Sequence, residues 1–146
     1  HTDINIGIAV SLDDDSLIVP VIKKSEERNF LGLIRSASEL ATNARSGNLS
    51  TDDISGSTFT LTNPGIFGSV FGLAIINQPN VAILSTGSIQ KKPVVKETEY
   101  GDAVLVRSMM NLTLGYDHRL INGAYGSRFL VCIKDWLENF NKMNEE

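Results

Sequence analysis

The strongest clue to the fold is the sequence STFTLTN at residues 57–63. Phe59 and Leu61 alternate there with threonines, and a repeat of two residues is typical of a β-strand whose side chains point to opposite faces of a sheet. Threonine suits a strand, but three threonines on one face indicate that this face is not simply apolar core. We therefore expect a strand with one apolar face and one face that carries hydroxyl groups.

Two further strands and a helix are predicted on the N-terminal side of this strand. Residues 4–10 alternate in the same way, and residues 17–22 form a short apolar run that Pro20 assigns to a sheet edge or a bulge. A helix follows, with Asn29 as its N-cap, apolar residues at helical spacing, and Gly47 as the left-handed residue that ends it.

On the C-terminal side, the sequence predicts a loop, several strands and a last helix. The glycine-rich segment at residues 65–72 does not have the spacing of a dinucleotide or P-loop fingerprint, so we expect a tight loop. Strand patterns follow at residues 81–89, near residues 94–95 and over one long stretch at residues 103–116, with a turn at residues 100–102. The apolar stripe of the last helix consists of Phe129, Leu130, Ile133, Trp136, Leu137 and Phe140.

Strands and helices in this order predict an α+β fold, an open-faced sandwich with a mixed sheet in one domain. The chain opens with His1 close to a strand pattern and has no initiator methionine. We therefore expect residues 1–146 to be the C-terminal portion of a single domain that is truncated at its N-terminus. The polar residues 144–146 are predicted to form a solvated tail.

The composition argues against several classes of protein. With 42% hydrophobic residues, the chain has enough apolar material for a core, so disorder is not expected. A net charge of -4 with scattered lysines and arginines argues against nucleic acid as a partner, and no apolar run predicts a membrane span. Cys132, the only cysteine, lies in an apolar stretch and is expected to be buried and inert. No metal site is predicted, and a bacterial cytoplasm or a mitochondrial matrix is the expected setting.

One polar interruption, DHRLING at residues 117–123, lies between the last strand pattern and the last helix. His118 has an ordinary pKa of about 6.5 and can accept a proton at neutral pH. Such a cluster can also be purely structural, because Asp117, Arg119 and Asn122 can hold a turn together through an ion pair and Asx hydrogen bonds. The residues alone leave both interpretations open.

The same heptapeptide resembles the Asp-His-Arg-x-x-Asp-Gly signature of the dihydrolipoamide acyltransferases, which share their fold with chloramphenicol acetyltransferase. Four other parts of the chain are similar to this family in the same order: the opening strands, residues 44–49, residues 58–65 and residues 75–87. The resemblance covers essentially the whole chain. It implies a mixed-sheet sandwich of the chloramphenicol acetyltransferase-like type, with residues 1–146 as the C-terminal portion of one acyltransferase catalytic domain.

The resemblance also implies a mechanism. His118 matches a histidine that acts as general base on the attacking thiol of coenzyme A, and Thr62 matches a hydroxyl donor to the oxyanion that forms from acyl-dihydrolipoamide. Without the family, Thr62 would be taken for an ordinary strand residue bonded to a neighbour. Asn122 stands where the family usually has aspartate, which pairs with an arginine from upstream; asparagine can still form hydrogen bonds, but it carries no charge.

The implied substrates are coenzyme A and a lipoyl group carried on a separate lipoyl domain. The implied partners are copies of the chain, as trimers with active sites between subunits that assemble into a cubic or icosahedral core, and the 2-oxo acid decarboxylase and dihydrolipoamide dehydrogenase components. The motifs do not select an acetyl, succinyl or branched-chain acyl group. Two alternatives stay open: a weakly active or inactive scaffold subunit of such a complex, and an acyltransferase of the same fold that acts on a small amine or alcohol.

Overall fold

The structure is a computed structural model, and it describes residues 2–140. The predicted tail at residues 144–146 lies outside the described residues. Neither α-helix within residues 2–140 has the length and apolar character needed to cross a membrane. The elements are β1 (Ile6–Ile8), β2 (Val10–Ser11), β3 (Leu17–Ile18), β4 (Val21–Ile22), α1 (Phe30–Arg45), β5 (Phe59–Thr62), β6 (Ala82–Thr86), β7 (Gln90–Thr98), β8 (Gly101–Met109), β9 (Leu112–Tyr116) and α2 (Gly123–Glu138).

Five of these strands form one mixed sheet in the order β4-β1-β5-β6-β9. The central strands β1, β5 and β6 run parallel, and the edge strands β4 and β9 are antiparallel to their neighbours. Separately, β2 pairs with β3, and β7 pairs with β8 in a long hairpin. The hairpin turn lies at residues 99–100, one residue earlier than predicted, because Gly101 and Asp102 already belong to β8. The mixed sheet and the two helices confirm the predicted α+β fold.

Strand β5 has the two different faces that its sequence predicts. Phe59 faces α2, and its ring contacts the ring of Phe129 in that helix at a centroid distance of 5.8 Å. Thr60, on the other face, is fully buried, and its hydroxyl oxygen accepts a hydrogen bond from Nδ2 of Asn80 at 3.3 Å. Residues in register on neighbouring strands share a face, so this difference continues from β5 into β6.

The first helix begins and ends where the sequence predicts. Asn29 is the N-cap of α1, and its side chain accepts a hydrogen bond from the N–H of Gly32 at 2.8 Å. After the helix, Gly47 has a φ of 68°, a left-handed conformation that glycine adopts without steric cost. Helix α1 packs against the edge strand β4.

The prediction of one long strand at residues 103–116 is wrong. β8 ends at Met109 and stays in the hairpin with β7, whereas β9 begins at Leu112 and pairs with β6. The chain changes its partner near Asn111, whose carbonyl oxygen accepts a hydrogen bond from the N–H of Gly87 at 2.9 Å. Sequence periodicity does not reveal this change, because the residues on both sides of it favour a strand.

Three other strand predictions are corrected in their extent. The strand predicted at residues 4–10 is divided into β1 and β2, which belong to different sheets. The strand predicted at residues 17–22 is divided into β3 and β4 around Pro20, and β4 lies at the sheet edge that this proline indicates. β6 ends at Thr86 instead of reaching Ile89, because the chain there leads into the β7–β8 hairpin.

The prediction of a buried thiol at Cys132 is also wrong, because this residue is exposed. It lies within a run of apolar residues at 129–133, and five consecutive residues cover more than one full turn of an α-helix. Leu130 and Ile133 are half-buried, whereas Cys132 lies on the outward side of α2. An apolar run of this length therefore does not assign a single residue to the core.

Candidate active site

Thr62 lies at the C-terminal end of β5 and lines a cavity of about 550 Å³. The sheet forms the floor of this cavity with Thr60, Thr62, Ile83 and Ser85, and the loop at residues 72–78 forms one of its walls. No charged side chain lines the cavity among the residues that the structure describes. The cavity is therefore suited to a neutral group that can accept hydrogen bonds from hydroxyls.

Three hydroxyl side chains stand in register on one face of the sheet, across three neighbouring strands. Thr62 of β5 is in register with Ser85 of β6, and Ser85 is in register with Thr113 of β9. We call these three residues the hydroxyl row. Ser85, at its centre, is only 2% exposed, and its Oγ has no hydrogen-bond partner among the described residues. The register thus places a second, buried hydroxyl next to that of Thr62.

His118 lies in the turn after β9, and its side chain is exposed. Its ring packs against the ring of Tyr116 at a centroid distance of 5.6 Å. Tyr116 in turn lies against Gly126 of α2, where an added Cβ would come within 2.8 Å of the tyrosine ring, so only glycine allows this close packing. Within residues 2–140, no hydrogen bond engages the imidazole. The tyrosine ring supports the imidazole, and neither imidazole nitrogen is bonded to a described residue.

Asp117 and Arg119 hold the turn that carries His118. Nη2 of Arg119 lies 2.6 Å from Oδ2 of Asp117, and the N–H of Arg119 donates to Oδ1 of the same carboxylate at 3.0 Å. These hydrogen bonds from Arg119 lower the pKa of Asp117 from 3.8 to about 2. The N–H of Asp117 donates to the carbonyl oxygen of Val81 at 2.8 Å, which ties the turn to the start of β6. The structural interpretation of this cluster therefore applies to Asp117 and Arg119, and His118 takes no part in their ion pair.

Asn122 is the N-cap of α2. Its side-chain oxygen accepts a hydrogen bond from the N–H of Tyr125 at 2.9 Å. Asparagine is among the preferred residues at this position, because its oxygen satisfies an N–H that has no partner within the helix. Asn122 thus starts the last helix directly after the turn that carries His118, and its side-chain NH₂ donates no hydrogen bond to any of residues 2–140.

The structure does not bring Thr62 and His118 together within one chain. Thr62 and Thr113 lie at the same height along the sheet, because both are in register with Ser85. His118 follows Thr113 by five positions in the chain. Each strand residue advances the chain by about 3.4 Å, so the two residues are separated by on the order of 17 Å along the sheet. A general base must come within about 3 Å of the proton that it removes. A site that uses both residues therefore needs them from two different copies of the chain.

Sequence reasoning missed two parts of this region. It did not identify Ser85, and it described the glycine-rich segment as a tight loop without placing it, or residues 73–78, beside Thr62. A signal for Ser85 is present in the strand AILST at residues 82–86, where a hydroxyl interrupts an apolar run. This signal gains its meaning only from the register, which aligns Ser85 with Thr62.

Residues 1–144 match the family model described as 2-oxoacid dehydrogenases acyltransferase (catalytic domain). The lipoamide acyltransferase component of the branched-chain alpha-keto acid dehydrogenase complex of Bacillus subtilis strain 168 is 45% identical over 140 residues, which are 96% of this chain and 32% of that protein. The chain thus spans about a third of the length of this curated relative.

Two solved structures are similar as well. One comes from a study of the role of a serine, a histidine and an asparagine in the catalytic mechanism of Azotobacter vinelandii dihydrolipoamide acetyltransferase; its TM-score is 0.88, with 37% identity, and it covers 97% of this chain and 56% of that chain. The other is the cubic core of the pyruvate dehydrogenase multienzyme complex, with a TM-score of 0.88, 37% identity and the same coverage. These matches confirm the chloramphenicol acetyltransferase-like fold. This chain belongs to the acyltransferase (catalytic domain) family of the 2-oxoacid dehydrogenases.

Proposed function

We propose that the full-length protein transfers an acyl group between dihydrolipoamide and coenzyme A within a 2-oxo acid dehydrogenase complex, in active sites that lie between subunits. The observation that carries this proposal is the position of Thr62 and His118 at opposite ends of one sheet. One end offers a hydroxyl in an uncharged cavity, and the other offers an exposed imidazole. Each active site would combine the hydroxyl at the Thr62 end of one subunit with the imidazole at the His118 end of its neighbour.

In the proposed reaction, His118 takes the proton from the thiol of coenzyme A as the sulfur attacks the carbonyl carbon of the acyl thioester. A thiol with a pKa of about 8.5 is mostly protonated at pH 7, so its deprotonation during the attack favours the reaction. The carbonyl oxygen becomes negative, and Thr62 donates a hydrogen bond to it, a contribution of about 3 kcal/mol. The bond between that carbon and the sulfur of dihydrolipoamide then breaks, and the departing thiolate receives the proton from His118.

The cavity at Thr62 suits the reacting part of these substrates. Its described lining is apolar apart from hydroxyl and amide groups. A thioester and its acyl chain are neutral, so they can enter without leaving a buried charge unpaired. The phosphates of coenzyme A would need another surface. One similar protein is a component of a branched-chain complex and another is an acetyltransferase, so the similarity does not select the acyl group.

Asn122 is compatible with an active enzyme. In the Azotobacter acetyltransferase, the asparagine whose catalytic role was investigated follows the histidine by four positions. Asn122 follows His118 at the same spacing. We therefore propose that Asn122 supports the site near His118, so that an asparagine at this position does not by itself favour the scaffold alternative.

The proposed partners follow from the proposed reaction. A lipoyl domain would deliver the acyl group, and the decarboxylase and dihydrolipoamide dehydrogenase components would act before and after this step. The similarity to a chain of a cubic pyruvate dehydrogenase core supports assembly of trimers into a larger core. A cyclic trimer has head-to-tail interfaces, in which one subunit can present His118 to the Thr62 cavity of the next.

The proposal is tested by co-assembly of two inactive variants of the full-length protein. His118→Ala removes the base from one population, and Thr62→Val removes the hydroxyl donor from the other. When the two are co-expressed in equal amounts, about a quarter of the head-to-tail interfaces combine an intact His118 with an intact Thr62. Acyl transfer between dihydrolipoamide and acetyl-CoA, succinyl-CoA or a branched-chain acyl-CoA is measured for the mixture and for each variant alone.

We expect each variant alone to be nearly inactive and the mixed assembly to recover about a quarter of the wild-type rate with the preferred acyl-CoA. Two separately assembled variants that are mixed without subunit exchange serve as the control and stay inactive. No recovery in correctly assembled mixtures would contradict a site between subunits. A wild-type assembly that transfers none of these acyl groups would contradict the enzymatic function and favour a structural core subunit.

A further inference from the structure

We propose that Ser85 is a positioning residue that orients the hydroxyl of Thr62 toward the oxyanion. This inference rests on the proposed function, because it assigns a role to Ser85 in the same reaction. Ser85 would donate a hydrogen bond to Oγ1 of Thr62, and Thr62 would use its own hydrogen for the negative oxygen of the intermediate. No proton is transferred in this arrangement, and Ser85 does not touch the substrate.

The register places the two hydroxyls next to each other. Thr62 and Ser85 are partners on the parallel strands β5 and β6, so their side chains leave the same face of the sheet. Both line the same cavity. Neighbouring strands lie about 4.8 Å apart, a spacing that a hydrogen bond between two side-chain hydroxyls in register can span.

The buried hydroxyl of Ser85 is expected to need a hydrogen-bond partner. The residue is 2% exposed, and its Oγ forms no hydrogen bond with the described residues. A buried hydroxyl without a partner is energetically unfavourable, and most such groups in folded proteins are paired. On one side of Ser85, strand β5 offers the hydroxyl of Thr62, and on the other side, strand β9 offers that of Thr113. A hydrogen bond along the hydroxyl row satisfies Ser85 without any new residue.

The position of Oγ favours an indirect role over direct contact with substrate. Gly72 lies over it, since a Cβ added to this glycine would stand 3.9 Å from Oγ. The Oγ atom is closed off from solvent, whereas Thr62 is only half-buried. Thr62 is thus the member of the row that a substrate can reach. A hydroxyl that accepts a hydrogen bond becomes a stronger donor. Ser85 would therefore both strengthen and orient the hydrogen bond that Thr62 donates to the oxyanion.

The test compares Ser85→Ala with Ser85→Thr in the assembled full-length protein. Loss of one neutral hydrogen bond from the oxyanion relay should lower kcat about tenfold and leave KM for both substrates unchanged, because the relay acts in the transition state. Ser85→Thr keeps the hydroxyl and should retain most of kcat. Ser88→Ala is the matched control, since Ser88 also has a buried hydroxyl without a described partner but does not line the cavity.

A double-mutant cycle separates a role through Thr62 from a structural one. In a Thr62→Val background, Ser85→Ala should have no further effect on kcat, because the hydroxyl on which Ser85 acts is already absent. Equal losses in both backgrounds, or a Ser85→Ala variant with wild-type kcat, would overturn the inference. If Thr62→Val loses activity and Ser85→Ala does not, the proposed function stands while the inference fails. A wild-type protein without acyl transfer overturns both.

Discussion

The two ends of the central sheet differ in what they expose. At the end that carries Thr62, hydroxyls lie on the floor of a cavity without charged lining in the described residues, and Ser85 is buried there without a partner. At the other end, His118 is exposed on a turn held by the Asp117–Arg119 ion pair. Stabilisation of a negative oxygen needs a donor shielded from water, whereas a base that receives a mobile thiol needs access. Within one chain, the two side chains lie at different ends of the sheet. In the proposed assembly, they would meet between neighbouring subunits.

The largest expected effect comes from the exposed end. His118→Ala should lower kcat for acyl transfer by about 10³-fold, because the thiol would lose its general base. The assembly and the free energy of unfolding should stay close to wild type, since no hydrogen bond of the described residues depends on the imidazole. Steady-state kinetics and thermal unfolding measure the two quantities. An unchanged rate would remove His118 from the mechanism.

The next largest effect is expected at the cavity end. Thr62→Val keeps the shape of the side chain and removes its hydroxyl, so kcat should fall by about 10²-fold. Thr58→Val is the matched control on the same stretch. The Thr58 hydroxyl bonds to the backbone of Asn5 and does not line the cavity, so its loss should lower the free energy of unfolding by about 1 kcal/mol and leave kcat unchanged. An equal loss of kcat in both variants would contradict a specific role of the Thr62 hydroxyl in the reaction.

A smaller effect on stability is expected at the start of α2. Asn122→Ala removes the N-cap and should lower the free energy of unfolding by about 1 kcal/mol. Asn122→Asp keeps a capping oxygen and should unfold like the wild type, so any change in its rate of acyl transfer reports the added charge. Chemical denaturation of both variants checks the cap. An alanine variant as stable as the wild type would show that the cap is dispensable.

The smallest expected effect is the pH dependence of the turn. The pKa of Asp117 is lowered from 3.8 to about 2 by its hydrogen bonds with Arg119. A carboxyl group whose pKa is lower in the folded state stabilises that state at any pH above its pKa in the unfolded state. This stabilisation is lost as the pH falls through the pKa of the folded state. The difference in stability between wild type and Asp117→Asn should therefore be constant above about pH 4 and decrease between about pH 4 and pH 2. A constant difference down to pH 2 would show that the ion pair does not hold the turn.

Much of this protein could be predicted from residues that are close in the sequence. The two faces of β5 follow from the alternation of Phe59 and Leu61 with threonines, and Asn29 and Gly47 mark the ends of α1. These features depend on contacts within a few positions, so the local sequence is sufficient to determine them. The resemblance around His118 likewise identified the family, which the comparisons confirm.

Other features depended on the tertiary structure. The change of partner near Asn111, the exposure of Cys132 and the alignment of Thr62 with Ser85 all require knowledge of which distant segments lie side by side. The same register separates Thr62 from His118 along the sheet. Strand pairing joins residues far apart in the chain, and its energy comes from burial and cross-strand contacts that local periodicity does not encode. The sequence alone therefore determined which residue types could carry the chemistry, and only the folded sheet decided which of them can meet.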